Sequence, residues 1–164
     1  MSYATTRIAV VVVTLGLSSH PAAQGLVTQR NLSLALAKTI AEATLAECKS
    51  KGFNTAAAVV DRAGQVLVIL RDEQGTAQMA EMARRKAYTA RMFRMPTTEF
   101  QKRTASDPSL LPQRDVQDIL ALGGGMPILA GSEVIGGVGS SGSSQETDES
   151  CAKAGLAKVA DHLK

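Results

Sequence analysis

Two stretches of this chain read as strand, tight turn, strand, and each is bracketed by helical patterning. That order leaves few folds open. Thr55-Ala-Ala-Ala-Val-Val-Asp61 and Gln65-Val-Leu-Val-Ile-Leu-Arg71 flank the turn Asp61-Arg-Ala-Gly64, and the second run reads as the antiparallel partner of the first. Met126-Pro-Ile-Leu-Ala130 and Glu133-Val-Ile-Gly-Gly-Val-Gly139 repeat the pattern around Gly131-Ser132. Before the first hairpin, Leu32, Leu36, Ile40 and Ala43 recur at helical spacing within Gln29 to Lys51, with Asn31 or Thr28 as the expected cap and Gly52 as the stop. Between the hairpins a second helix is expected from Thr76 to Met95, ending ahead of Pro96. Its stripe Ala80, Ala83, Ala87 and Ala90 is narrow and small, as suits a helix lying close on a sheet. The stretch from Pro96 to Asp118 reads as a loop with a short helix around Thr98 to Arg103. After the second hairpin, Ser143-x-x-Glu146 matches a reciprocal cap, and Ala152, Leu156, Val159 and Leu163 form the apolar face of a terminal helix. The expected fold is α+β: an antiparallel sheet flanked by helices, in the order α-β-β-α-loop-β-β-α.

The first 24 residues read differently. A lone early charge at Arg7 precedes the apolar run Ile8 to Leu17, and small residues follow, with a cleavage position near Ala23. A membrane span needs about 20 apolar residues, and this run is about half that. Residues 1–24 are therefore expected to be a signal peptide and residues 25–164 a single domain. The mature protein is expected to be periplasmic or secreted, without a membrane span.

Composition narrows the partners. The 164 residues include no Trp, two Tyr and three Phe, so the core must be built from Ala, Val, Leu and Ile. Four scattered rings beyond the leader do not make a base-stacking platform, and no nucleic-acid partner is expected. Loss of Arg7 leaves 17 basic against 15 acidic residues, too small an excess to argue otherwise. The distribution is less even. Arg84, Arg85, Lys86, Arg91, Arg94, Lys102 and Arg103 stand close together with Glu99 the only acid among them, which reads either as a solvated helix face or as an anion-binding rim. Cys48 and Cys151 lie in helical patterns beside apolar neighbours, and both a disulfide and two small buried thiols are open to them. With His162 the only histidine beyond the leader, no zinc ligand set exists.

Several motifs carry less than they suggest. Gly137-Val-Gly-Ser-Ser-Gly142 satisfies a dinucleotide fingerprint, but the 22 residues after Gly142 cannot supply the returning parallel strand. Ser141 lacks the spacing of a nucleophile elbow, and His162 is the only base for a triad. Asp61, Asp72, Glu73 and Asp148 fall in turns or caps, where carboxylates serve backbone amides.

Taken together, Ala57-Ala-Val-Val-Asp-x-Ala-Gly-Gln-Val-Leu-Val-Ile-Leu-Arg71, Ala83-x-x-Lys86-Ala-Tyr-Thr-Ala90, Gly123-Gly-Gly-Met-Pro-Ile128, Val134-Ile-Gly-Gly-Val-Gly-x-Ser-Gly142 and Asp148-x-x-Cys-Ala-x-Ala-Gly155 resemble the HbpS/GlcG-like family. That family includes secreted haem-binding or haem-degrading proteins and a C-terminal domain of some corrinoid adenosyltransferases. The resemblance implies a five-stranded antiparallel sheet, assembly into homo-oligomers, and a small-molecule ligand, haem or a related tetrapyrrole, with a role in its degradation. It places Lys86, Thr89 and the turn Gly123, Gly124, Gly125, Met126 around the pocket. A glycine turn permits close ligand approach, and Lys86 with Arg85 can pair with propionates or other carboxylates. Tyr88, Met126, His162, Thr89 or a subunit-interface residue are the donors open to a haem iron. The second function class is an enzyme or accessory protein acting on a small organic carboxylate, suggested by the basic helix and the glycine turn.

Overall fold

The computed structural model describes Gly25 and residues 27–164; the signal peptide expected over residues 1–24 lies outside the described residues. Helix α1 spans Leu34–Ser50, strands β1 and β2 span Ala56–Val60 and Val66–Arg71, and helix α2 spans Ala77–Phe93. Helix α3 (Thr97–Ser106) and a 3-10 helix (Pro108–Arg114) follow, then β3 (Gly125–Ala130), β4 (Glu133–Ser141), α4 (Gln145–Ala157) and a last 3-10 turn, Ala160–His162. The order matches expectation, with the long loop partly helical.

The caps moved by a residue or two, for readable reasons. Ser33, not Asn31 or Thr28, caps α1 by accepting from the Leu36 amide at 3.2 Å. Asn31 is occupied: its Oδ1 accepts from the amides of Leu32 (2.9 Å) and Arg62 (3.2 Å). Ser144 rather than Ser143 caps α4, accepting from the Thr147 amide. The apolar face read out to Leu163 ends earlier as regular helix, at Ala157.

The sheet has four strands among the described residues, in the order β2-β1-β4-β3 and antiparallel throughout. The implied fifth strand is absent there. The two hairpins use every strand-like run, and the segment between α2 and β3 folds as helix instead. Central strand β1 is buried on both faces. Ala57 and Val59 pack with Ile40, Ala41 and Ala152 under α1 and α4, whereas Ala56, Ala58 and Val60 pack with Ala83 and Ala87 of α2. The domain is thus three layers: α1 and α4, sheet, α2.

Glycines on β4 set the close approach of α2. A Cβ at Gly139 would stand 2.1 Å from the Ala83 carbonyl oxygen, and one at Gly137 would stand 2.2 Å from that of Ala87. The small stripe on α2 therefore rests with its backbone directly on the sheet. Gly139→Val is expected to lower stability by about 1–3 kcal/mol or more through overpacking, measured by chemical denaturation. An unchanged midpoint would contradict the close approach.

The segment after α2 is held by aromatic and cationic contacts. Phe93 and Phe100 stack with ring centroids 4.2 Å apart, and the Arg103 guanidinium lies 5.8 Å from each centroid. Two of the four rings among the described residues are thereby committed to holding α3 against α2. Among the described residues no helix is long and apolar enough to cross a membrane.

Candidate functional site

The Gly123–Gly125 turn enters β3 at one end of the sheet, and four elements converge on it. The Gly125 amide donates to Thr97 Oγ1 of α3 at 2.8 Å, and the Gly123 amide to Gln145 Oε1 of α4 at 2.7 Å. The Ser140 amide of β4 donates to the Gly124 carbonyl at 2.9 Å. Gly124 has φ +118°, and a Cβ there would sit 2.7 Å from the Ser140 carbonyl oxygen and 2.9 Å from Lys86 Nζ. Only glycine suits that position.

Directly beneath the turn lies a buried ion pair. Lys86 Nζ donates to Asp148 Oδ2 at 2.8 Å and to the Ser140 carbonyl at 2.9 Å, and both side chains are about 98–99% removed from solvent. The other Asp148 oxygen accepts from the Ser143 hydroxyl at 2.7 Å and the Ser143 amide at 3.2 Å. Burial pulls the Lys86 ammonium below the usual lysine range, and the Asp148 charge and hydrogen bond act against that pull. The pair ties α2 to α4 across the end of the sheet. Its charge is matched internally, so Lys86 is neither a surface lysine nor a free cation for an arriving carboxylate.

The other expected site residues separate from this centre. The Arg85 guanidinium donates through Nη2 to the Ile119 carbonyl at 2.5 Å, while its buried Nε has no partner among the described residues. Thr89 is fully buried; its hydroxyl donates to the Arg85 carbonyl and accepts from the Leu120 amide, each at 2.8 Å. Arg85 and Thr89 therefore anchor the segment that crosses α2. Met126, half-buried, packs against the core on the α1 and α4 side of the sheet. The structure gathers Lys86 with Gly123, Gly124 and Gly125 and leaves Arg85, Thr89 and Met126 elsewhere.

Asp148 is the residue that reading by position missed, since its place beside Ser143 resembles an ordinary cap. A signal for it exists: a lysine set among Ala83, Ala87 and Ala90 on a buried stripe requires a buried acid. Of the other carboxylates, Asp61 accepts from the amides of Ala63 and Gln65, and Asp72 from that of Gln74, as turn residues do. Asp72 also pairs with Lys49 at 2.7 Å.

The cysteines take the bonded alternative. Cys48 and Cys151 form a fully buried disulfide between α1 and α4, and Cys48 Sγ lies 3.5 Å from the Ser140 hydroxyl. No group of three or more His, Cys, Asp or Glu that could hold a metal ion occurs among the described residues. A groove of about 540 Å³ between α1 and α4, lined by Ala43, Ala46 and Ala154, and another of about 380 Å³ beside Pro127, Leu129 and Leu156, lie away from Lys86.

The fold and this site define a three-layer α+β domain whose glycine turn is locked by a buried ion pair between two helices. The chain belongs to the haem-degrading HbpS-like protein family, whose model matches residues 32–157. It is 32% identical over 127 residues to an uncharacterized 15.0 kDa protein of Citrobacter freundii encoded between dhaT and dhaS, covering 76% of this chain and 89% of that one. Among solved structures it resembles a double mutant of HbpS from Streptomyces reticuli (36% identity, TM-score 0.76, 85% of this chain and 96% of the other). It also resembles protein ORFY of Klebsiella pneumoniae (26%, TM-score 0.78, 82% and 94%). A complex of PduOC with heme is similar at 25% identity and TM-score 0.70, covering 77% of this chain and 94% of that one.

Proposed function

We propose that this protein is an exported, self-associating member of its family that binds haem or a related tetrapyrrole and serves in its degradation. The observation that carries the reading is family membership together with likeness to a domain solved in complex with heme. The disulfide supports export, because such bonds persist in oxidising compartments. The exposed Ile69 on edge strand β2 and Leu129 on edge strand β3 support self-association. The assignment to small-carboxylate chemistry is the weaker one, since the Lys86 charge on which it draws is already matched.

The residues expected around the pocket do not fit as iron donors within one protomer. Lys86 is ion-paired, the Thr89 hydroxyl is fully used, Met126 packs against the core, and both cysteines are bonded. Tyr88 and His162, half-buried and exposed respectively, remain. Tyrosine and histidine both hold haem iron in proteins. When bound, haem supplies an iron centre for redox and ligand chemistry; the chain's part is to bind and orient it.

Titration of the purified protein with hemin is expected to shift the Soret band and saturate at a fixed stoichiometry. A spectrum equal to free hemin at every ratio would sink the reading. Light scattering on the same sample measures self-association, and the mass of protein recovered from the periplasm reads leader removal.

A further inference from the structure

The face of α2 turned away from the glycine turn carries a second cluster that the buried ion pair leaves unused. Tyr88 lies over the β1–β2 turn, so closely that a Cβ on Gly64 would stand 2.8 Å from its ring. The Met92 methyl is 3.8 Å from that same point, and Met92 and Val66 are 42% and 44% exposed. One turn along α2, Arg91 Nε donates to the Arg62 carbonyl at 2.6 Å, so Tyr88 and Arg91 pack on the same four-residue turn.

The cations at this face outnumber its acids. Arg62 and Arg30 share one acid, Glu133, and the Asp61 carboxylate is held by the amides of its own turn. Arg91 and the exposed Arg94 are in no ion pair among the described residues. Desolvation, then the charges of Arg94 and Arg62, push the Arg91 guanidinium below the usual arginine range, and the Asp61 charge opposes that push only in part. An apolar aromatic surface edged by arginines in excess of its acids suits an amphipathic dicarboxylate. The surroundings of His162, namely Leu36, Thr39, Val159 and the single cation Lys158, offer less.

We infer that the tetrapyrrole docks on this face, with the Tyr88 phenol oxygen as the axial donor to its ferric iron and Arg91 and Arg94 as partners of its propionates. This deepens the proposed function and rests on it. On binding, the phenol releases its proton to solvent, and its oxygen bonds the ferric iron in place of the water or hydroxide that free hemin carries there, which leaves to solvent. Arginine is chosen for the carboxylate contacts because its fork pairs with both oxygens.

The test is a hemin titration of wild type, Tyr88→Phe and Arg91→Gln/Arg94→Gln, read by Soret position and by resonance Raman bands of an iron-bound phenolate. Phenylalanine keeps the ring on Gly64, and circular dichroism checks the fold of every variant. Wild type is expected to show the phenolate bands, and Tyr88→Phe to lose them with a shifted Soret band. The double arginine variant is expected to bind about tenfold more weakly or worse. Wild-type binding that Tyr88→Phe leaves spectroscopically unchanged overturns the assignment alone. Failure of wild type to bind hemin overturns the tetrapyrrole reading and the assignment with it.

Discussion

Lys86→Met is expected to lower the free energy of unfolding by about 3–5 kcal/mol, because it strands Asp148 as an unpaired charge in a closed interior. Asp148→Asn should cost a similar amount, now leaving the ammonium without its counter-charge. The double variant Lys86→Met/Asp148→Leu separates this cause from simple loss of packing. Removing both charges is expected to recover most of the loss, since apolar replacements of a buried pair are often neutral. Denaturant unfolding measures all three, and single-variant losses under about 1 kcal/mol would show that the pair is not dry. Dependence on pH supplies a second arm. Burial lowers the Lys86 pKa in the folded state, so between that value and the usual lysine value the unfolded chain binds more protons. Wild-type stability should gain from this group as pH rises through that alkaline window, and the gain fades as pH falls below the folded value. Lys86→Met should lack this component.

Loss of the disulfide is the other large effect. Cys48 and Cys151 are 103 residues apart in sequence, and closing a loop of that size restricts the unfolded chain by about 4–5 kcal/mol in the chain-entropy account. Cys48→Ala/Cys151→Ala is expected to lose most of that, seen as a lower denaturation midpoint. Wild type unfolded in a dithiol reductant should show the same midpoint as the variant. A variant as stable as oxidised wild type would mean that the bond does not form. The Ser140 hydroxyl beside Cys48 belongs to the residue whose carbonyl accepts a hydrogen bond from Lys86, so the two large effects meet at one strand end. They are therefore not expected to add independently.

Much of the fold was legible from local rules. The hairpin turns, the alanine stripe of α2 and the start of α2 near Thr76 are dictated within a few residues of themselves. The cap of α1 was not, because Asn31 was drawn to Arg62, a partner 31 positions on. The strand count implied by resemblance was one more than the described residues form, and the helical segment between α2 and β3 owes its place to Phe93, Phe100 and Arg103 meeting across a proline break. The candidate site divided in the same way. Resemblance pointed to Gly123 to Gly125 and Lys86, but the role of Lys86 reversed once Asp148, 62 residues away, was found against it.

By itself the sequence determined the order of elements, the antiparallel pairing within each hairpin and the small-residue core, because these follow from periodicity, turn chemistry and side-chain volume over short spans. Only the tertiary structure decided which charges are matched and which are free. Lys86 and Arg91 lie five positions apart on one basic helix, yet one is buried against an acid and the other stands among cations. The energy of a charge depends on its solvent exposure and on neighbours brought from elsewhere in the chain, and those are properties of packing.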